Sequence, residues 1–372
     1  MSQIPVDGLY RFYAAEPSYF SAKVRPALRY KRVPFAELLP TPAAYRDVIV
    51  PRTGLAFIPI LITPENETWQ DTSEILDRLE ARFPEPPLYP RTPVQRVVTL
   101  LWELYCDEFL VLPGLHYRWS FPESEAKARQ DFAAFNGAPE AANKFASRIK
   151  SFLPFIGVTA ETIPHVEAHT HELLAGLEAH FEAHPYLLGS RPSLADCALI
   201  GPFYAHLYLD AVPGRLLRER APRVCNWIER LNHPDPAEDG EWIGGDGLAP
   251  TMRPLLELIG RDMVRLMLDD VRDFEAWADQ QADRGIEIPR GTGTHTTRLR
   301  GVEIPRFTSP YTLWMVQRPL DAYRALQAGE RAEVDRALSG TGLEELLAFE
   351  PRHRLTKRNF KLAFEQAASH RS

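Results

Sequence analysis

Two short stretches of the chain carry residue types that could bind a small peptide. The apolar stretch FIPILI, residues 57–62, contains Pro59, and a proline inside a strand removes a backbone donor and leaves that part of the strand edge open. Twelve residues after Pro59, Asp71 and Thr72 begin a predicted helix, whose first amides offer an anion site. An open strand edge beside a helix N-terminus could hold a peptide that carries a carboxylate. The alternative for this pair is an ordinary helix cap.

The elements that would position these residues follow an α/β order. Strands are predicted at 9–13 (LYRFY) and 57–62, and helices at 18–32 and 71–83, which makes an α/β region over residues 1–84. The stretch PEPPLYPRTP, 84–93, ends this region because its prolines cannot continue a helix or a central strand.

The rest of the chain is predicted to be mostly helical. Residues 94–235 show one helical pattern after another, and Ser193-Leu-Ala-Asp196 has the spacing of a capping box, which we assign to folding. A second boundary, rich in proline and glycine, covers 231–250. A mostly helical extension follows over 245–372, and a loop or small hairpin is predicted to interrupt it at 285–310.

Composition narrows the class of protein. The chain is 45% hydrophobic and 25% charged with a net charge of -7, which is typical of a globular protein and argues against a nucleic-acid partner. No apolar run is long enough for a bilayer, and the first residues lack a signal-peptide pattern, so we expect no membrane partner and a cytoplasmic location. The basic run PRHRLTKRNFK, 351–361, is interpreted as a solvated helix face. Cys106, Cys197 and Cys225 read as small core residues.

Four motifs in order resemble the glutathione transferase family. They are LYRFYAAEPSYFSAKVRPAL, Ile-Pro-Ile-Leu with Asp-Thr-x-x-Ile-Leu, YLLGSRPSLADCALIGPFYAHL and PRVCNWIERLNHP, and together they cover about residues 8–235. The resemblance implies a thioredoxin-like glutathione-binding domain at 1–84, an all-helical substrate domain at 94–235 and the unusual extension at 245–372. It also implies a homodimer and detoxification chemistry, with glutathione as cosubstrate and a small hydrophobic electrophile.

The resemblance assigns glutathione-binding roles to residues of the first region. Pro59 matches the family's cis-proline, and Ile58 would present its backbone N–H and C=O to the cysteinyl part of glutathione. The carboxylate of Asp71 would face the γ-glutamyl ammonium. The hydroxyl and amide of Thr72 would face the γ-glutamyl carboxylate.

Two residues compete for the glutathione sulfur. Ser18 matches the serine that touches the sulfur in several classes of the family, where a hydroxyl donor and a helix N-terminus would favour the thiolate over the thiol. Tyr13, at the end of the first strand, is the rival donor, and an ordinary helix cap is the alternative for Ser18. With serine rather than cysteine here, conjugation, addition, isomerisation or dehalogenation is expected rather than disulfide exchange.

Other assignments carry plain structural alternatives. Arg52 is a candidate for the glycyl carboxylate, although the loop before Pro59 departs from the family pattern and a solvated arginine is the alternative. One helix supplies four side chains suited to a hydrophobic substrate, with core packing as their alternative: Trp102, Tyr105, Cys106 and Phe109. The pairs His165 with His169 and His180 with His184 are spaced for a metal, but no supporting acidic or cysteine ligand is evident, so no metal is expected.

The sequence therefore predicts a glutathione transferase-like enzyme. The alternative is a binding or scaffold protein that keeps the fold, has lost the glutathione chemistry and uses its extension as an interaction surface.

Overall fold

The computed structural model describes residues 8–136, 138–237, 240–281 and 285–365. The chain forms two compact units, one of residues 1–90, 113–151 and 177–245 and the other of residues 91–112, 152–176 and 246–372. The division does not follow chain order, because the first helix of the predicted substrate domain groups with the predicted extension. The outer ends of the predicted regions, 1–7 and 366–372, lie outside the described residues.

Helices account for most of the described secondary structure. The α-helices are α1 Tyr19–Tyr30, α2 Pro42–Ala44, α3 Val50–Thr53, α4 Thr72–Arg82, α5 Pro93–Leu104, α6 Val111–Trp119, α7 Pro122–Asn136, α8 Pro139–Phe152, α9 Ile163–Ala183, α10 Leu194–Pro202, α11 Ala211–Arg220, α12 Pro222–Asn232, α13 Met252–Asp279, α14 Pro310–Arg324, α15 Ala328–Leu338 and α16 Leu343–Leu347. Some of them are joined by π-helical turns, Tyr45–Ile49, Tyr105–Phe109 and Phe203–Tyr208, or by the 3₁₀ turn Leu153–Ile156.

The first unit contains a four-stranded sheet. Its strands are β1 Tyr10–Tyr13, β2 Phe35–Leu38, β3 Ile60–Ile62 and β4 Thr68–Gln70, in the order β2-β1-β3-β4. β1 runs parallel to β2 and antiparallel to β3, and β3 is antiparallel to β4. With α1 and α4 this is the predicted thioredoxin-like arrangement. β2 and β4 were not predicted, because their residues FAEL and TWQ mix polar with apolar side chains and form no apolar run.

Buried charges tie α1 to the elements around it. The Arg25 guanidinium donates two hydrogen bonds to Glu37 on β2, at 2.9 and 2.7 Å, and Arg25 is 1% exposed. The Lys31 ammonium lies 2.7 Å from Glu80 and donates to the carbonyl of Phe83, which ends α4. Each buried charge is therefore paired, as burial of an ion requires.

The capping box at Ser193 is present as predicted. Asp196 accepts from the backbone and hydroxyl of Ser193, both at 2.9 Å, and its other oxygen accepts from the backbone of Leu187 and the indole of Trp227. Burial raises the pKa of Asp196 to about 6 despite these donors. One carboxylate thus joins three segments of the first unit, which supports the folding role.

In the second unit a buried relay links two α-helices, a π-helical turn and the turn of a hairpin. The Tyr105 hydroxyl lies 2.6 Å from Nε2 of His169, and Nδ1 of His169 lies 2.8 Å from Asp262, which also pairs with Arg300 at 2.6 Å. The side chains of Tyr105, His169 and Asp262 are no more than 1% exposed. Because Asp262 can only accept when ionised, Nδ1 carries the hydrogen and Nε2 accepts from Tyr105.

The described part of the extension includes two hairpins. β5 Gly293–Leu299 and β6 Val302–Thr308 are joined by Arg300 and Gly301, both at positive φ, which confirms the hairpin alternative for 285–310. β7 Leu355–Arg358 and β8 Lys361–Phe364 are joined by Asn359 and Phe360, again at positive φ, as a two-residue hairpin loop requires.

The second hairpin corrects one expectation from the sequence. We interpreted 351–361 as a helix face, but its central residues form a strand and a turn, so that interpretation was wrong. A strand-turn pattern at Arg-Asn-Phe-Lys outweighed the basic composition. Across the four described ranges, no helix combines the length and apolar character needed to cross a bilayer.

We expect Tyr105→Phe to lower the free energy of unfolding by about 1–3 kcal/mol, because it leaves the buried Nε2 of His169 without a donor while keeping the ring. Urea denaturation measures the change. Tyr323→Phe is the matched control, since the Tyr323 hydroxyl bonds to Asp335 in exposed surroundings and its loss should change stability by no more than about 0.5 kcal/mol. Equal effects of the two changes would contradict a stabilising relay.

We expect acid to destabilise the protein through His180. Burial lowers the pKa of this imidazole from 6.5 to about 4, so between those values the unfolded chain binds a proton that the folded chain does not, and stability falls as pH falls. His180→Gln should remove this dependence, on the order of 2–3 kcal/mol between pH 7 and 4.5. Urea titrations at several pH values measure it.

His171→Gln serves as the control, because His171 is exposed. A stability difference between wild type and His180→Gln that stays constant with pH would show that His180 titrates alike in both states.

Candidate functional site

Sheet register brings the predicted glutathione-binding segments to one end of the sheet. Tyr13, the last residue of β1, pairs with Ile60, the first residue of β3, and Ile60 also pairs with Gln70, the last residue of β4. The residues after Tyr13, before Ile60 and after Gln70 therefore leave the sheet at the same end. Because α1 and α4 follow β1 and β4, the N-termini of both helices also lie at this end, and each carries partial positive charge.

Ile58 and Pro59 precede β3 at this end. The Ile58–Pro59 peptide is cis, as the resemblance implied. Within the described chain, the backbone N–H and C=O of Ile58 have no hydrogen-bond partner, and the residue is partly exposed. Both groups can therefore pair with the backbone of an extended peptide.

Asp71 caps α4 from an unusual backbone conformation. Its carboxylate accepts from the amides of Ser73 and Glu74 at 3.0 and 3.4 Å, so the cap interpretation is correct. Its φ of 76° and ψ of 130° belong to a region that costs about 1–3 kcal/mol and that occurs mostly at functional sites. Thr72 is 4% exposed, and its hydroxyl has no partner among the described residues.

Lys23 adds a charge that sequence reasoning missed. Its ammonium lies on α1, is fully buried and donates to the Ser73 hydroxyl at 3.2 Å, in the first turn of α4. An ammonium and a helix N-terminus have the same sign, so their proximity favours an anion nearby. A lysine within the apolar face of α1 was the signal that could have revealed it.

Ser18 begins α1 and is partly exposed. Its hydroxyl oxygen accepts from the amide of Ser21 at 3.3 Å, so Ser18 is a helix cap. A hydroxyl has one hydrogen and two lone pairs, and capping uses only a lone pair. Since the O–H has no acceptor among the residues described, capping leaves its hydrogen available to a thiolate.

Tyr13 lies at the same sheet end but is more enclosed. Its side chain is 8% exposed and packs against a cluster of Ile49, Ile60 and Ile62. The two rival donors are thus close in the fold. The greater exposure of Ser18 favours the serine.

Arg52 is not brought to this group. Its guanidinium bonds to Asn66 at 2.6 Å and to Thr68 at 3.1 Å, at the turn between β3 and β4. That turn is at the opposite end of the β3–β4 pair from Asp71. The position argues against the glycyl-carboxylate role.

The four side chains assigned to a hydrophobic substrate belong to the second unit and are enclosed there. All are between 0 and 1% exposed: Trp102, Tyr105, Cys106 and Phe109. Tyr105 and Phe109 stack with ring centroids 5.5 Å apart. Enclosure of this degree agrees with the core-packing alternative.

One histidine of each predicted pair has another partner. Both ring nitrogens of His169 are used in the relay with Asp262 and Tyr105, and Nε2 of His180 bonds to the carbonyl of Tyr186 at 3.2 Å. In the described ranges, no cluster of three or more His, Cys, Asp or Glu side chains is arranged to hold a metal ion.

Solved structures with a similar arrangement include three from different sources. Beta-etherase LigF from Sphingobium sp. shares 21% identity over 61% of this chain and 96% of its own, with a TM-score of 0.45. A Tau class glutathione S-transferase from mango shares 19% identity over 67% of this chain and 96% of its own, with a TM-score of 0.41. A glutathione S-transferase from Methylobacterium radiotolerans, in complex with glutathione sulfonate, shares 23% identity over 63% of this chain and 97% of its own, with a TM-score of 0.39. No curated protein matches the chain.

Family models match two segments of the chain. Residues 12–87 match the glutathione S-transferase N-terminal domain, and this segment contains the sheet and the residues of the site. Residues 160–230 match the glutathione S-transferase C-terminal domain, and this segment contains the capping box at Ser193. Two segments of the chain therefore match the two domains of the glutathione S-transferase family, in the family's order.

Proposed function

We propose that this protein is a glutathione-dependent transferase that activates the glutathione thiol at Ser18 for attack on a small hydrophobic electrophile. One observation carries the proposal: the register of β1, β3 and β4 gathers the open backbone of Ile58, the strained cap Asp71 and the partly exposed Ser18 at one end of the sheet. Each group suits a different part of the tripeptide.

The γ-glutamyl end would bind at α4. The Asp71 carboxylate faces the ammonium, while the hydroxyl and amide of Thr72 and the Lys23 charge act on the α-carboxylate. The cysteinyl backbone pairs with the N–H and C=O of Ile58. This arrangement sends the cysteinyl side chain toward the loop that begins α1.

The chemistry follows from the sulfur. A thiol with a pKa of about 8.5 is mostly protonated at neutral pH, and a donated hydrogen bond from Ser18, with the N-terminus of α1, stabilises the thiolate. The thiolate then forms a carbon–sulfur bond to the electrophile. In a substitution the leaving group departs with its electron pair, and in an addition the product takes up a proton.

A non-catalytic binding protein is the second candidate. The position of Arg52 at the β3–β4 turn favours it, because that residue then supplies no charge for the glycyl carboxylate. Retention on immobilised glutathione, measured together with conjugation of a generic aryl halide, separates the two. Retention without conjugation would favour the second candidate.

We expect Ser18→Ala to reduce kcat/KM for conjugation about 100-fold, as the loss of one donor to a developing anion does, and to raise the pKa of the bound thiol. Initial rates with an aryl halide and the ultraviolet absorbance of the thiolate measure both. The fold should survive with a loss of about 1 kcal/mol for the missing cap. Unchanged turnover would remove Ser18 from the mechanism, and Tyr13→Phe would then test the rival.

We expect Asp71→Asn to weaken glutathione binding about tenfold or more without unfolding the protein. Asparagine caps a helix as well as aspartate does and tolerates positive φ, so the change removes only the charge that faces the ammonium. Calorimetric titration with reduced glutathione measures the Kd.

Asp246→Asn is the matched control, because Asp246 accepts from the amides of Val94 and Gln95 at the start of α5 in the second unit. It should leave the Kd unchanged. N-acetylated glutathione should lose affinity for wild type but little for Asp71→Asn. An equal loss of affinity for reduced and N-acetylated glutathione in both Asp71→Asn and Asp246→Asn would contradict pairing of Asp71 with the ammonium.

A further inference from the structure

Both the C=O and the N–H of the peptide group that joins Pro17 to Ser18 are hydrogen-bonded. The N–H of Ser18 donates to the carbonyl of Ala15 at 3.1 Å, and the carbonyl of Pro17 accepts from Nη1 of Arg118 at 2.9 Å. Since these two groups belong to one planar peptide, they set its orientation and thereby the start of α1. Arg118 lies on α6, in the same unit but a hundred residues away along the chain.

Every N–H of Arg118 has an acceptor. Nε and Nη2 donate to the two oxygens of Asp210, at 2.8 and 3.3 Å, and Nη2 also donates to the carbonyl of Ala205 at 2.6 Å. Nη1 donates to Pro17 and lies 2.9 Å from Nε2 of His206. Arg118 and Asp210 are 2% and 0% exposed. A guanidinium with all five donors engaged in a buried site has one orientation.

His206 completes the arrangement as an acceptor. Arg118 can only donate, so Nε2 of His206 must accept, and Nδ1 carries the hydrogen that it donates to the carbonyl of Gly114 at 2.9 Å. Burial, and then the charge of Arg118, lower the pKa of His206 well below its usual value. The imidazole is therefore neutral and packs edge-on against Tyr19, the first residue of α1.

We propose that Arg118 is a positioning residue for Ser18, with Asp210 and His206 as its supports; this inference rests on the proposed function. Burial requires acceptors for all five donors of Arg118 but does not dictate which acceptors they are. One donor of Arg118 reaches the backbone beside the proposed thiol donor, at the carbonyl of Pro17. Arg118 thus controls where the Ser18 hydroxyl points. A second arginine, Arg25, contacts the same loop at the Ala15 carbonyl and at the Glu16 carboxylate, both at 3.4 Å.

A lysine in place of Arg118 separates the effect of the guanidinium's hydrogen-bond geometry from the effect of its positive charge. Arg118→Lys keeps a cation for Asp210, but an ammonium has three donors and no planar fork, so it cannot serve Asp210, Ala205, His206 and Pro17 together. We expect the pKa of bound glutathione to rise by about one unit and kcat at neutral pH to fall about tenfold. The Kd for glutathione should change less than about twofold, because Ile58, Asp71 and Thr72 are untouched.

The measurement is the ultraviolet absorbance of the glutathione thiolate in the complex as a function of pH, with kcat and calorimetric Kd on the same samples. Arg223→Lys is the matched control for the chemical change, since Arg223 pairs with Glu178 and Glu182 on the surface. Glu80→Gln is the control for any loss of stability that Arg118→Lys causes, since it also breaks a buried ion pair, that of Glu80 with Lys31. Neither control should move the thiol pKa.

Asp210→Asn tests the positioning role if Arg118→Lys fails to fold. Asparagine keeps the shape of the aspartate side chain but has only one oxygen, so one of the two hydrogen bonds from Arg118 to residue 210 is lost. A raised thiol pKa in either variant, with an unchanged Kd, supports the positioning role. An unchanged thiol pKa and kcat in a folded variant overturns it and leaves the proposed function standing. A wild-type protein that binds no glutathione overturns both.

Discussion

The antiparallel pairing of β3 with both β1 and β4 is the constraint on which the candidate site depends. Strand direction decides which loops share a sheet end, and here it places the end of β1, the start of β3 and the end of β4 together. Two helices then begin at that end, so the partial positive charges of their N-termini add to each other. A tripeptide with an acidic γ-glutamyl group and a nucleophilic sulfur has complementary chemistry.

Buried charged side chains in the first unit link secondary-structure elements through hydrogen bonds and ion pairs. Arg25 joins α1 to β2, Lys31 joins α1 to the end of α4, and Arg118 joins α6 to the loop before α1. Burying an ion costs several kcal/mol unless its partners are well placed, so such pairs add less to stability than to the choice of one geometry. The proposed function needs the loop before α1 to present the Ser18 hydroxyl to a sulfur, and that role would benefit from one fixed geometry.

The second unit follows a different rule. Its aromatic side chains fill a core that includes the hydrogen-bonded chain of Tyr105, His169 and Asp262. The sequence pattern of alternating aromatic and apolar residues is the same for a pocket wall and for a core, because both are hidden from water. Only the packing around Trp102 and Phe109 separated the two.

Local chemistry in the sequence determined the elements that lie next to one another along the chain. The capping box at Ser193, the cap at Asp71 and the start of α1 at Ser18 are short-range interactions, and they were predictable because a helix end needs a donor or acceptor within three residues. The tertiary structure alone decided the placement of Arg52, Lys23 and Arg118. Their partners lie 14 to 101 residues away, and no local pattern encodes which distant carbonyl or hydroxyl a long cationic side chain will meet.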